Sequence, residues 1–535
     1  MFIVPCRTTL SKPDQQYKKQ FKKHKKQYKF FTVTFIGNHT NFDIRWRKKR
    51  FSYFVNLGIP GPKPKLLSGN MDDIITKGVA KCHYDWIKKY GNVVGYFQGS
   101  RPVLLVSDLE FLKYFMVVNY MNASGREWFI EDGGIPLKAF RETSIGSVSG
   151  MYWKELHNMM SSAFTSRKLK GMIPILEKSI TRVLMKIEKK IENKEFVPMK
   201  TLFSQLCFDN TMSNMFGIEK DESEMYRKFH EDIQQLANIP QKDIIIALAL
   251  CFPEFSTVFT LIREAKDKIS YYLGKPSCFG AYKNLLNVLR VRRSNPQIQR
   301  DDFVQLLMKA GTENESENEN NSMKQRTLTT DEILINMMSF TFGSYETLVS
   351  ALTFALYMMA KHPEIQNKVR KELNLLNTNE AEMENSFLCG IPYLDQVILE
   401  TTRYYTLIRF LLNRKVTGEI KWNSITLPKN LVLQVAAYQL HHDPEFWENP
   451  EAFDPDRFSV QNKQKINPIV FQGFGYGPRT CIGMRFAYLS IRQIFTHLLT
   501  KYKFEICEET EPLIVGNEHF VLKPMNELIL RAIPV

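Results

Sequence analysis

Ten consecutive residues near the end of the chain, Phe474 to Gly483 (FGYGPRTCIG), constrain the fold more than any other stretch. Two glycines and a proline make a tight loop. The loop delivers Cys481 to the start of a helix, visible in the spacing of Ala487, Ile491, Ile494, Phe495 and Leu498. Unpaired amides and the dipole at a helix N-terminus stabilise a thiolate. Glycines let further amides approach the sulfur and temper its electron donation. A lone cysteine is otherwise a buried structural thiol, but here loop, arginine and helix come together around one sulfur.

The chain has 535 residues and is 44% apolar, enough for a sizeable core, which excludes whole-chain disorder and a disulfide miniprotein. Its eight cysteines show no CxxC spacing and read as reduced thiols facing the cytosol. Of the net charge of +16, residues 1–58 carry +12, from ten Lys and four Arg against Asp14 and Asp43, which leaves +4 for the rest. The run Lys18–Lys29 could neutralise nucleic-acid phosphates, lie on an anionic membrane, or be a solvated tail. Against nucleic-acid binding, the body offers no basic face and the head no recognisable motif.

Ile59 to Pro64 (IPGPKP) reads as a stiff extended connector, because three prolines fix φ and remove donors. It divides the chain into a basic head, 1–58, expected to be disordered or a misassigned start, and one large domain, 59–535. Val93–Gln98 and Val103–Val106 predict a β-hairpin. From about Met151 the period turns helical. Gly311 to Arg326 reads as an exposed loop, after which Thr329 and Glu332 form a capping-box pattern that starts a long helix. Phe520–Lys523 and Glu527–Arg531, split by Pro524, suggest another hairpin. The predicted class is mainly α with small peripheral β-sheets (α+β). No stretch reaches the ~18–20 apolar residues of a membrane span. Ile244 to Phe252 (IIIALALCF) reads as a buried helix segment or as a membrane-dipping element.

Two further motifs precede the cysteine loop. Glu400-Thr401-Thr402-Arg403 places an acid and a base on one helix face, with Phe453-Asp454-Pro455-Asp456-Arg457-Phe458 between it and Cys481. Phe342-Gly343-Ser344-Tyr345-Glu346-Thr347 puts a glycine in mid-helix, at a cost of about 1 kcal/mol against Ala, so something should compensate.

A rigidly presented single thiolate is what a five-coordinate haem iron needs, and with these motifs in order the sequence resembles the cytochrome P-450 superfamily. Its signature FxxGxRxCxG is matched by Phe474, Gly477, Arg479, Cys481 and Gly483. The resemblance implies the fold of that superfamily, with a long central helix over haem b, and Cys481 as the axial iron ligand, framed by Phe474, Gly475 and Gly483. It assigns Glu400, Arg403 and Arg457 to a buried charge network, although the family usually has Glu where Asp456 stands. It makes Glu346 and Thr347 a proton-delivery pair beside a groove for dioxygen, with Ser344 in place of the usual second glycine. Haem propionates would be anchored by Arg479 first, then Arg414, with Arg126 a weaker candidate. The family's WxxxR is present as Trp153 to His157, with His in place of Arg, which cannot offer Arg's fork.

Ile59-Pro60-Gly61-Pro62 is similar to the hinge of animal microsomal members. Ala163 to Leu169, Tyr345-Glu346-Thr347 and Cys481 to Ala487 resemble the clan containing the 3A drug-metabolising family and thromboxane synthase. The resemblance therefore implies a monooxygenase that takes O₂ and a lipophilic substrate. It would draw electrons from a separate NADPH-cytochrome reductase, with cytochrome b5 as a further partner. Its place would be the cytosolic face of the endoplasmic reticulum membrane, without a transmembrane anchor. A haem-thiolate isomerase of peroxides and an inactive haem carrier are the alternatives.

Overall fold

The computed structural model describes residues 40–127, 138–219, 224–237, 244–297, 300–312, 327–376, 380–409, 411–516 and 521–535. Helices dominate, and the sheets are short and peripheral, as the sequence periodicities predict. The longest helix, Thr330–Lys361, spans 32 residues. It begins where expected: Thr329 Oγ1 accepts the Glu332 N–H at 3.2 Å, and Glu332 Oε2 accepts the Thr329 N–H at 2.7 Å. Apolar side chains on all sides of it are buried, among them Met337, Leu348, Leu352 and Phe354, the mark of a helix running through a core. It packs against the helices Met199–Phe216, Cys278–Ser294 and Pro392–Tyr405. Gly343 breaks the pattern: it is exposed in mid-helix, and a Cβ there would meet nothing within 4 Å. It opens onto an internal cavity.

The largest sheet contains β1 (Val93–Gln98), β2 (Arg101–Val106), β3 (Asn413–Lys415) and β4 (Val432–Val435), in the order β1-β2-β4-β3. β1 and β2 form the expected hairpin, with Gln98 opposite Arg101. Gly99 in its turn has φ +58°, and a Cβ would lie 2.3 Å from the Leu250 carbonyl oxygen, so only glycine fits. Among the described residues the hairpin expected near the C-terminus does not form. Lys523–Pro524 pairs with Val515–Gly516, while Ile529–Pro534 pairs with Tyr502–Glu505 and with Val197–Pro198. Lys523–Pro524 thus pairs with the run just before it, and Ile529–Pro534 with strands further away.

Residues ahead of the expected boundary at 58 also pack on the body of the protein. A helix covers Thr40–Phe51, and Arg47 within it is buried at 2% exposure. Its guanidinium donates to the carbonyls of Leu67 (2.6 Å) and Cys251 (3.0 Å), pairs with Glu254, and covers the Phe252 ring at 4.7 Å. Phe54 is buried and meets Phe97 edge-on with centroids 5.3 Å apart. It occupies the space that a side chain at Gly95 would fill. Residues 45–58 thus pack on the domain, through partners distant in sequence. The Lys18–Lys29 run and the Gly311 to Arg326 loop lie largely or wholly outside the described residues. Ile244–Cys251 is helical, with Ala249 and Leu250 buried, so that end of the apolar run faces protein.

Removing a buried phenylalanine costs about 3–5 kcal/mol. Phe54→Ala, or a chain that begins at residue 59, is therefore expected to melt at a clearly lower temperature than a chain that begins at residue 40. Equal melting temperatures would place 45–58 outside the cooperative fold.

Candidate functional site

The cysteine loop sits on a framework fixed by a buried ion pair. Glu400 and Arg403 are both 0% exposed, and their contact is bidentate, Nε to Oε2 at 2.7 Å and Nη2 to Oε1 at 2.8 Å. The remaining donors and acceptors are satisfied by neighbours. Arg403 Nη1 donates to the His441 carbonyl (2.7 Å) and Nη2 to that of Ala452 (3.1 Å), while Glu400 Oε1 accepts the Asp454 N–H (2.9 Å). Arg457 Nε approaches Glu400 at 3.6 Å. Asp456 lies outside this network, on the surface, where it pairs with Lys368 at 3.1 Å. Its departure from the family pattern thus leaves the buried charges untouched.

From this framework a hydrogen-bonded path leads into the loop. Gln472 N–H donates to His441 Nε2 at 2.8 Å, and the Gln472 carbonyl accepts the Gly475 N–H at 3.0 Å. Phe474 O then accepts the Cys481 N–H at 2.9 Å and closes the loop. Gly475 and Gly477 both have φ +76°, and a Cβ on Gly477 would lie 2.4 Å from the Met116 carbonyl oxygen. The helix Met484–Lys501 follows, with Gly483 at its N-cap. Burial pushes the Cys481 thiol up, while the Gly483 N–H and the Arg126 cation pull it the other way.

Cys481 is exposed, into a cavity whose walls also carry Phe474, Gly475, Arg479, Gly483, Trp153, His157, Ser344 and Thr347. Eight of the ten residues predicted for the site therefore share one cavity. The other two do not line it. Arg414 is buried behind the wall, and Glu346 turns away from the cavity to meet Lys523 Nζ at 3.5 Å. Burial raises the Glu346 carboxyl, opposed by Lys523 and Lys200. Ser344 turns its hydroxyl to the Phe340 carbonyl (2.7 Å) and to Thr211 (3.0 Å).

The cations are arranged differently from the expected ranking. Arg479 Nη1 donates to the carbonyls of Ser124 (2.7 Å) and Val148 (2.8 Å), and Nη2 reaches Gly146 at 3.3 Å. Its guanidinium lies over the Trp153 ring at 4.7 Å. It acts mainly as a strut between the cysteine loop and residues 124–148. Open buried donors belong instead to Arg126 (Nε) and Arg414 (Nε and Nη2). Burial and Arg126 push Arg414 down to about 9, and burial, Arg126 and Arg414 push Arg479 down. Arg126, the weakest of the three candidates in the sequence, is brought to the cavity wall by the fold. His157 stays on the wall beside Trp153, at a ring separation of 5.0 Å, where burial and Arg479 push its imidazole down.

Crowded buried cations with open N–H groups call for anions. The donor set fits haem b: a cysteine sulfur for the iron, an apolar wall for the ring, and Arg126 and Arg414 for two carboxylates. The framework itself can be tested first. Glu400→Ala strands the Arg403 charge at a cost of about 3–5 kcal/mol. The variant is expected to lose most of its folded protein, read by melting temperature and soluble yield; a wild-type melting curve would remove the ion pair from the structural role assigned to it.

The comparisons with known proteins agree with this geometry. Residues 59–531 match the family described as Cytochrome P450. Cytochrome P450 3A2 of Rattus norvegicus is 30% identical over 489 residues, covering 91% of this chain and 93% of the relative. Lithocholate 6-beta-hydroxylase of Mesocricetus auratus is 32% identical over 483 residues, 90% of this chain and 92% of the relative. Cytochrome P450 3A13 of Mus musculus is 31% identical over 485 residues, with 90% and 92% covered. Proteins of this family bind haem b through a cysteine thiolate and act as monooxygenases. The chain belongs to the cytochrome P450 family and is similar to its animal microsomal 3A members.

Proposed function

We propose that this monooxygenase oxidises lipophilic small molecules, with electrons from NADPH delivered by a separate reductase and, as a second donor, by cytochrome b5. The observation that carries the reading is that Cys481 and Thr347 line the same cavity, whose walls are otherwise largely apolar, including Phe140, Phe164, Phe340, Ile398, Leu411 and Val521. Such walls exclude water and reward apolar substrates. One relative is named for hydroxylating lithocholate, which agrees with that character.

Haem, when bound, supplies oxygen activation, which a thiolate ligand favours by donating electron density. The protein's own part is to hold Cys481, to seat the carboxylates of the cofactor, and to manage protons. Thr347 Oγ1 donates to the Gly343 carbonyl at 2.5 Å, so the hydroxyl is oriented on the cavity wall, beside the open space at Gly343. Glu346 stands one residue away behind that wall, where it faces Lys523 at 3.5 Å.

Among the described residues no helix is long and apolar enough to cross a membrane. Attachment to the cytosolic face of the endoplasmic reticulum would use exposed apolar side chains such as Phe255, Val258, Leu261 and Ile262, at the start of the Ser256–Tyr272 helix.

In the carbon monoxide complex of the reduced protein, the thiolate-type Soret band is expected in the wild type, Cys207→Ser and Cys389→Ser, and lost in Cys481→His. A histidine-type band in the wild type would overturn the ligand assignment. Thr347→Ala is expected to bind haem and substrate but to divert NADPH electrons to hydrogen peroxide. Wild-type coupling in that variant would remove Thr347 from proton delivery. Turnover of a peroxide substrate without NADPH or reductase would favour the isomerase reading.

A further inference from the structure

Arg126 occupies an unfavourable place. Arg414 and Arg479 are its close cationic neighbours, each pushed down in part by its charge. Its own side chain is tied at one nitrogen, where Nη2 donates to the Arg479 carbonyl at 3.2 Å, and its Nε has no hydrogen-bond partner among the described residues. Repulsion should drive such a group out towards solvent. What resists it lies in the next residue.

Glu127 is buried at 2% exposure. Its Oε1 meets Arg101 Nη1 at 2.9 Å, on the first residue of β2, and its Oε2 meets Lys415 Nζ at 2.8 Å, on the last residue of β3. The backbone is tied to the same strand: Glu127 N–H donates to Asn413 Oδ1 at 2.9 Å, and Asn413 Nδ2 donates to the Glu127 carbonyl at 2.8 Å. Lys415 N–H donates to the Gly125 carbonyl at 2.8 Å. Residues 125–127 are thus laid along β3, which also carries Arg414. Successive side chains of an extended segment point to opposite sides, so Glu127 turns to its two cations while Arg126 turns to the cavity wall.

We propose that Glu127 is a positioning residue for the haem seat: clasped by Arg101 and Lys415, it fixes the 125–127 segment to β3 and holds the half-buried Arg126 beside the buried Arg414 and Arg479, with its open N–H available to a propionate. The clasp matters more in this chain because His157 stands where the family's WxxxR carries an arginine. The reading rests on haem binding by the family. It goes beyond the choice of cation to the group that keeps that cation in place.

Charge and position predict opposite signs, which makes the idea testable. Removing a nearby carboxylate should, by charge alone, tighten binding of anionic propionates. If the carboxylate positions Arg126, its removal should loosen haem. Glu127→Gln, Arg126→Gln and the double variant would be purified as holoproteins, and haem transfer to excess apomyoglobin followed. Expected results are at least fivefold faster transfer from Glu127→Gln and a shifted propionate bending band in the resonance Raman spectrum. The double variant should release haem no faster than Arg126→Gln alone. Unchanged or slower transfer from Glu127→Gln, or multiplying effects in the double variant, would overturn the proposal. If Glu127→Gln does not accumulate, Arg101→Gln and Lys415→Gln each remove one arm of the clasp. Severalfold faster transfer with the same band shift supports the proposal, and wild-type behaviour in both overturns it. A thiolate-type carbon monoxide band in every variant would show that the haem-thiolate reading itself stands, whichever way Glu127 falls.

Discussion

Two charges with no access to water, Glu400 and Arg403, support the site from behind. Taking an ion pair out of water is costly, and the pair is stable only when geometry and further hydrogen bonds compensate. Here the guanidinium is bidentate to the carboxylate and donates to two backbone carbonyls, and the carboxylate accepts a further N–H. Those bonds bring together the Pro392–Tyr405 helix, His441 and the 452–457 turn. The path continues through the imidazole of His441, which burial keeps neutral. Because Nε2 accepts from Gln472 N–H, Nδ1 must carry the proton, which it donates to Thr406 Oγ1 at 2.9 Å. One tautomer of one histidine thus links the ion pair to the loop that presents Cys481.

On the other side of that loop the electrostatics run the opposite way. The first network is closed, with its charges matched. Arg126, Arg414 and Arg479 form a cluster of one sign that leaves N–H groups open. A fold keeps such a cluster only if something anionic completes it, and a cofactor with two carboxylates does so. The matched network supplies rigidity, and the unmatched one has open donors that would suit the two carboxylates of haem.

Much of this was readable along the chain because it is local. The Thr329/Glu332 cap, the 93–106 hairpin and the glycine-pinned loop each depend on residues a few positions apart, where spacing decides geometry. Glu400 and Arg403 are three apart on one helix, so their pairing could be read as well. The unread parts are those whose partners are distant. Arg47 and Phe54 sit in a stretch that reads as a basic tail, yet they contact residues around 95 and 250. The strand Ile529–Pro534 likewise pairs with residues 197–198 and 502–505.

By itself, the sequence determined that one cysteine would be held at a helix start, that an acid and a base would share a helix face, and that a long helix would carry Gly343 and Thr347. These follow from backbone periodicity and from the fixed conformational demands of glycine and proline. Only the tertiary structure decided which cations keep free donors, that Glu346 faces Lys523 rather than the cavity, and that Glu127 clamps the segment bearing Arg126. Whether a buried charge is matched or left open depends on what the rest of the chain brings within about 4 Å of it, and spacing along the sequence does not encode that distance.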